Sequence, residues 1–406
     1  MRASAERSTL SAPLEGTRVV EVGGAMVGYA GRLLSDLGAE VIVLERPGRD
    51  GRAGDPRSLT PFATSPSGAT ASLGFEHHYH GKRSVAVDWT AAQARPLLER
   101  IAASADAVLV TSHPGRQVIG FSPGPALDWA PAAVVCSVTP YGTTGPQRHW
   151  RATAFTSFAG SGQMYPIGPH EGPPLAMPGR HPFDVAGTRA CYLVQAALLS
   201  RHERSGGMAI DVSVHESVSW QRLVIEQFSL SGRIPDRQSY FSPPPGGVWE
   251  CRDGRIDIAA HAPHHWRIFV DLLGRPDDLA DPLYEDRAMR VQLFDLVAEL
   301  ISPHLAAVSA AEFVDRAQRA GLPCAMSFEP GQLANDLQMQ ARGYFRTVDS
   351  DEFGAVRLPG MPFRSEPELL AGGGPAPARG ADTERLLAEL GVPDGALDEW
   401  RRAGVI

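Results

Sequence analysis

The stretch Arg18–Leu44 constrains the fold more than any other part of this 406-residue chain. Arg18–Val22 is a short apolar run that reads as a buried strand, Val27–Leu37 carries apolar residues at helical spacing, and Glu40–Leu44 reads as a second buried strand. Gly38 stands where a helix ends on a left-handed residue. Strand, helix and strand in such short order form a βαβ unit, whose two strands must lie parallel with the helix crossing one face. Further strands are predicted at Ser84–Val87, Ala107–Thr111, Ala133–Val138 and Ala209–Val214, with helices at Ala91–Ser104 and Ala190–Ser200. Alternating elements of this kind place the chain in the α/β class.

The character of the sequence changes after about residue 228. Ser242-Pro-Pro-Pro-Gly-Gly247 reads as a loop or hinge. Beyond it the pattern predicts a strand at Ile256–Ala260 and helices at His265–Leu273, Arg287–Ala306 and Ala310–Ala320, which together make a smaller second domain. Ala371–Arg379 reads as a Gly/Pro/Ala linker before a short helix at Thr383–Leu390. A hydrophobic content of 43% with 21% charged residues is enough for a sizeable core. The net charge of −8 argues against non-specific nucleic-acid binding but leaves room for a local basic pocket that takes phosphates. Four widely spaced cysteines (Cys136, Cys191, Cys251, Cys324) signal neither a disulfide framework nor a zinc site, which fits a reducing cytoplasm. Met1–Pro13 reads as a loose polar tail without the apolar centre of a signal peptide, and no apolar run approaches the roughly 20 residues a membrane span needs.

Four motifs carry possible chemistry. In His181-Pro-Phe-Asp184-Val-Ala-Gly187 a carboxylate sits between apolar residues on what reads as a loop before the helix Ala190–Ser200. An unpartnered, partly desolvated charge is expensive, so Asp184 is either a helix cap or a reagent. Gly23-Gly24-x-x-x-Gly28-x-x-Gly31, followed by Glu45 at the end of the next strand, approaches a dinucleotide fingerprint, but the glycine spacing differs and tight strand–helix packing explains it equally well. His77-His78-x-His80, on what reads as a loop, and His261-x-x-His264-His265 read as exposed or capping histidines rather than metal ligands. Arg46, Arg57, Lys82, Arg83 and Arg151 fall near strand ends or in the loops that follow, the edge of a parallel sheet where ligands bind, although scattered surface charge is the plainer reading of any one of them.

In order along the chain stand Leu14-Glu-Gly-x-Arg-Val-Val20, Leu33-Leu-x-Asp-Leu-Gly-Ala-Glu-Val-Ile42, Leu44-Glu-Arg-Pro47, Gly54-Asp-x-Arg57 and Gly81-Lys-Arg-Ser-Val-Ala-Val-Asp88. Tyr141-Gly-x-Thr-Gly-Pro146, Asp184-x-x-Gly187, Asp211-Val-Ser213, Asp281-Pro282, Gly321-Leu-Pro-Cys324 and Leu390-Gly391 follow. From Leu14 to Ile406 the chain thereby resembles the family III (CaiB/BaiF-type) CoA-transferases. The resemblance implies an interlocked homodimer. It also implies a Rossmann-like large domain built from both chain ends (14–227, completed by 336–406) and a small α+β domain at 228–335. It makes Asp184 the covalent nucleophile and places CoA at Arg46, at Val87, Asp88 and Thr90, at Thr111, Ser112 and His113, and at Arg151. Gly246 and Gly247 look like a shortened glycine loop over the site.

The substrates implied are a CoA thioester and a carboxylic acid, with no permanently bound cofactor, no metal, no nucleic acid and no membrane. The chain departs from the family pattern at Tyr29, where proline is usual, and at Ala152-Thr153-Ala154, where a His is needed for racemisation. It departs again at Val118, with Arg116 nearby as a substitute, at His113 and at Thr143. Besides CoA transfer, the same scaffold leaves open an acyltransferase of a specialised pathway and a non-catalytic CoA-binding dimer.

Overall fold

A computed structural model describes residues 12–24, 26–48, 55–111, 123–169, 171–203, 206–221, 224–232, 243–366, 368–371 and 373–406. They divide into two compact units. One comprises residues up to Met164, Ala176–Leu223 and Tyr344–Ile406; the other comprises Tyr165–Leu175 and Val224–Gly343.

The first unit is built on six strands: β1 (Arg18–Val22), β2 (Glu40–Glu45), β3 (Arg83–Ala86), β4 (Ala107–Val110), β5 (Val134–Thr139) and β6 (Met208–Ser213). All neighbouring pairs are parallel and the order is β3-β2-β1-β4-β5-β6. This is the doubly wound order of dinucleotide-binding sheets, in which the crevice lies where the winding reverses, outside the carboxyl ends of β1 and β4. Val, Ile and Leu fill the central strands because a sheet covered on both faces buries every side chain, and β4 and β5 are buried at each residue. Gly38, with φ of +98°, ends helix α1 (Gly28–Asp36) and turns the chain into β2.

The chain's C-terminal part finishes this sheet. Leu386 and Leu387 of a helix at Thr383–Glu389, with Val392, Leu397 and Val405, pack into the same core as Val85 and Val87. The exposed edge of β3 is covered as well. The amides of Ser84 and Ala86 donate to the Asp382 carboxylate and the Thr383 hydroxyl, both at 3.0 Å. A covered edge cannot pair with another chain. The stretch Ala371–Arg379, expected as a linker, is packed instead: Ala376 is buried beside Val43, Leu59, Phe75 and Tyr79, and Arg379 donates to the Arg46 carbonyl at 2.7 Å.

The second unit has a three-stranded antiparallel sheet of β7 (Gly247–Cys251), β8 (Gly254–Ile258) and β9 (Cys324–Met326) in the order β9-β8-β7. Its core gathers Ile256, Ile258, Trp266, Phe269, Ile301 and Phe313. The helix expected at Arg287–Ala306 is two, Arg287–Gln292 and Phe294–Ala306, parted at Leu293. Among the described residues no single helix is long and apolar enough to cross a membrane.

Candidate active site

The carboxyl edge of the parallel sheet gathers several of the expected ligand residues. Arg46 follows β2 and Asp88 and Thr90 follow β3, its neighbour. The Arg46 guanidinium donates to the Asp88 carboxylate at 3.2 Å, and the Thr90 hydroxyl and amide donate to the same oxygen at 2.6 and 3.0 Å. The Thr90 donors and the Arg46 cation hold the Asp88 carboxyl below the usual carboxylate range against the opposing effect of burial. Val87 is anchored by donating to the Glu45 carbonyl at 2.8 Å, and Asp88 by donating to the Val405 carbonyl at 2.7 Å. Thr111 leaves the end of β4, its amide bonded to the Val22 carbonyl at 3.1 Å. Ser112 and His113 lie outside the described residues, as do Arg116 and Val118. Arg151 is exposed on the segment before helix α5 (Ala154–Gly160). Gly246 and Gly247 open the first strand of the second unit, where the Gly246 amide donates to the Pro243 carbonyl at 2.9 Å.

The other basic residues expected at this edge are structural. Lys82 is wholly buried, 2.6 Å from Glu21 on β1 and 2.8 Å from the Gly28 carbonyl. Arg83 is paired with Glu40 and with Glu389. Arg57 grips Glu45 with two hydrogen bonds of 2.8 and 2.9 Å, and the Ser84 hydroxyl adds a third at 2.6 Å. Glu45, which the glycine pattern offered to a ribose, is thus consumed within the protein. A cation neutralised by a buried carboxylate has little charge left for a phosphate.

Asp184 does not sit on a loop. The helix α6 (His181–Ser200) starts nine residues earlier than expected, with Pro182 in its first turn, where a proline's missing N–H costs nothing. Arg180 is the N-cap residue, so Asp184 is not the cap. Its carboxylate projects from the first turn, where the helix dipole favours negative charge, and its side chain is 35% exposed. It is therefore a carboxylate that a ligand can reach.

Two other helices meet it. Gly187, one turn on, lies where a Cβ would come within 3.1 Å of the Tyr29 Cβ and 3.2 Å of the Ala30 amide, so α6 approaches α1 closely at this point. Helix α2 (Leu73–Tyr79) brings His78 to Asp184, Nε2 to Oδ1 at 3.3 Å. The histidines at 77, 78 and 80 are neither exposed nor on a loop: His77 and His78 lie on α2, His80 is its C-cap, and His78 and His80 are buried. Tyr29 stacks on His77, with centroids 6.4 Å apart, and meets His78 edge-on at 5.6 Å. The tyrosine that replaces a proline here is thus part of the wall beside Asp184, and burial pushes its hydroxyl up from the ordinary range.

Sequence reading missed His78 as a neighbour of Asp184 because the two are separated by 106 residues. The one available signal was a run of histidines on a segment whose apolar neighbours Phe75 and Tyr79 recur every four residues. Among the described residues no cluster of His, Cys, Asp or Glu is placed to hold a metal ion.

The arrangement sets a reachable carboxylate on a helix N-terminus beside a buried imidazole, which suits acyl transfer. The model of CoA-transferase family III matches residues 14–383. The probable CoA-transferase Rv1866 of Mycobacterium tuberculosis is 30% identical over 376 residues; the match covers 88% of this chain, which spans only 45% of that relative's length. The succinyl-CoA:glutarate CoA-transferase of Mus musculus is 27% identical over 404 residues, covering 97% of this chain and 90% of that protein. Among solved structures, a CaiB/BaiF family protein from Brucella suis superposes with a TM-score of 0.82 at 24% identity, covering 93% of this chain and 99% of that one. Rv3272 from M. tuberculosis superposes with a TM-score of 0.76 at 25% identity over 92% of this chain and 98% of its own. The chain belongs to CoA-transferase family III.

Proposed function

We propose that the protein moves CoA from an acyl-CoA thioester to a carboxylic acid, with Asp184 as the covalent nucleophile. The observation that carries this reading is the half-exposed Asp184 carboxylate on the first turn of α6, in a chain of this family. A carboxylate oxygen attacks the thioester carbonyl, the C–S bond breaks, and the products are an aspartyl mixed anhydride and CoA thiolate. The thiolate then attacks the aspartyl carbonyl carbon, leaving an aspartyl-CoA thioester as the donor acid departs. The acceptor carboxylate repeats both steps in reverse, leaves as the new thioester and restores Asp184.

In this reading Arg46, Val87, Asp88, Thr90 and Thr111, with Ser112, His113 and Arg151, hold the CoA, and the Gly246–Gly247 segment shields the anhydride from water. The names of several relatives pair a CoA thioester with a small dicarboxylate: succinyl-CoA with glutarate, succinyl-CoA with L-malate, acetyl-CoA with oxalate. Succinyl-CoA and short dicarboxylic acids are therefore the first substrates to try. The working form is a homodimer, interlocked as the family resemblance implies. Large apolar side chains left exposed on the first unit, among them Tyr192 and Leu199 on α6 and Trp220, supply surface for such a contact.

The test is mass spectrometry of the intact protein after exposure to succinyl-, acetyl-, butyryl- and benzoyl-CoA, with hydroxylamine trapping and peptide mapping. A hydroxamate on Asp184, absent in Asp184→Ala, with turnover abolished and CoA binding retained in that variant, is the expected result. CoA binding with no adduct from any donor would instead make the chain a non-catalytic binder.

A further inference from the structure

The chemistry above leaves a question at the second step, when Asp184 changes from nucleophile to electrophile. The CoA thiolate attacks the aspartyl carbonyl carbon, and negative charge then gathers on the aspartyl oxygen that is not bonded to the donor acyl group. That charge needs a hydrogen-bond donor already in place.

His78 supplies one. Its side chain is 6% exposed, and its Nδ1 lies 2.9 Å from the Gly74 carbonyl one turn back along α2. A carbonyl oxygen only accepts, so Nδ1 carries a hydrogen. Nε2 faces Oδ1 of Asp184 at 3.3 Å, and an ionised carboxylate also only accepts. The contact is a hydrogen bond when Nε2 carries a hydrogen too. Otherwise two lone pairs face each other in a buried place, which is unfavourable.

We propose that His78 donates from Nε2 to Oδ1 of Asp184, first presenting Oδ2 alone to the thioester and then stabilising the oxyanion that forms on Oδ1 when thiolate or product attacks the aspartyl carbonyl. This rests on Asp184 being the nucleophile. No atom moves beyond those of the transfer itself: the Nε2 hydrogen stays on the ring, Oδ1 gains and loses charge, and Oδ2 makes and breaks the anhydride bond.

The surroundings support the assignment. From α1, Tyr29 meets the His78 ring edge-on and Arg32 lies 2.7 Å from the ring nitrogens of His77. A guanidinium only donates, so His77 must offer it a lone pair and stays neutral. Burial and then the Arg32 charge push the His77 imidazole down to about 2. His77 stands beside His78, ring centroids 5.0 Å apart, and is itself uncharged. From α6, the groups facing this corner are Asp184 itself and the Arg180 guanidinium, which feels the Asp184 charge. Among these, the carboxylate is the group within reach of His78 Nε2.

The experiment compares His78→Gln with His78→Asn, since the glutamine amide reaches the place of Nε2 and the asparagine amide reaches only that of Nδ1. With succinyl-CoA as donor, kcat of His78→Asn should fall about 100-fold with KM for the thioester within about threefold, as for other oxyanion donors, while His78→Gln stays within about tenfold of the parent. Hydroxylamine trapping of His78→Asn should still find acyl-enzyme on Asp184 and much less aspartyl-CoA thioester, because the slowed step is attack on the aspartyl carbonyl. Thermal melts within a few degrees of the parent show that both variants fold. Equal losses in the two variants, or none in either, overturn the role of His78 while leaving the Asp184 adduct intact. Absence of any adduct in the parent overturns the nucleophile, and the role of His78 with it.

Discussion

At the scale of single residues, the site depends on side chains whose neighbours leave them one workable state. His77 is held neutral in the folded protein by burial and by Arg32, with its imidazole at about 2 against an ordinary value of 6.5. A base whose folded value is depressed binds fewer protons folded than unfolded, so stability falls as pH drops below 6.5 toward 2. The slope contributed by this one group approaches about 1.4 kcal/mol per pH unit. Replacing His77 with Gln should flatten urea-unfolding stability between pH 6 and about 4 relative to the parent; an unchanged slope would show that other groups set the acid limit. Gly187 makes a second expectation. The atoms that a Cβ there would meet are the Tyr29 Cβ and the backbone of Ala30, neither of which can swing aside. Gly187→Ala should cost roughly 1–3 kcal/mol in chemical denaturation and lower turnover, because α6 and Asp184 with it must shift from α1.

At the scale of elements, a buried ion pair ties β1 to the turn after α2. Glu21 and Lys82 are both fully inaccessible, with the ammonium 2.6 Å from the carboxylate and 4.1 Å from the centre of the Tyr79 ring. Burial drives the lysine down from its ordinary range and Glu21 opposes that shift. Removing one partner strands the other charge, so Lys82→Met should cost about 3–5 kcal/mol in urea unfolding. The pair Glu21→Leu with Lys82→Met should recover most of that loss; a double variant no more stable than the single would show that packing, rather than the stranded charge, sets the cost.

This pair also shows where sequence reading stops. Lys82-Arg83 after a histidine run looks like a phosphate clamp, because the pattern shows charge and position but not the acid that comes to meet it from 61 residues away. Strand and helix patterns were legible for the opposite reason. They are properties of consecutive side chains, and β1, α1 and β2 lie almost where the apolar periodicity places them. The start of α6 was not legible, since Pro182, Gly187 and an exposed Thr188 mimic a loop while the helix is held by packing on α1.

At the scale of the molecule, the first unit is assembled from distant parts of the chain, and its sheet edge depends on the last of them. Asp382 and Thr383 cap the β3 amides, and Val405 is wholly buried in the same core. A chain ending before residue 380 would expose β3 and the apolar side chains under it, and should be recovered mainly as aggregate, which light scattering after expression would register. If the proposed homodimer is correct, light scattering on the intact protein will return twice the 43.5 kDa chain mass at micromolar concentration. A monomer would remove the interlocked assembly and leave the exposed Tyr192, Leu199 and Trp220 without a partner.

By itself the sequence determined the α/β class, the parallel register implied by the first βαβ unit, the family, and Asp184 as the carboxylate to watch. Each of these is written in short motifs or in local periodicity. Only the tertiary structure decided which charges are free and which are consumed. It set Arg57 on Glu45 and Lys82 on Glu21, and it brought His78 to Asp184. The physical reason is that a charge or a hydrogen-bonding atom has no fixed role until its partner is known. Here His78 and Asp184 meet because α2 and α6 both pack on α1.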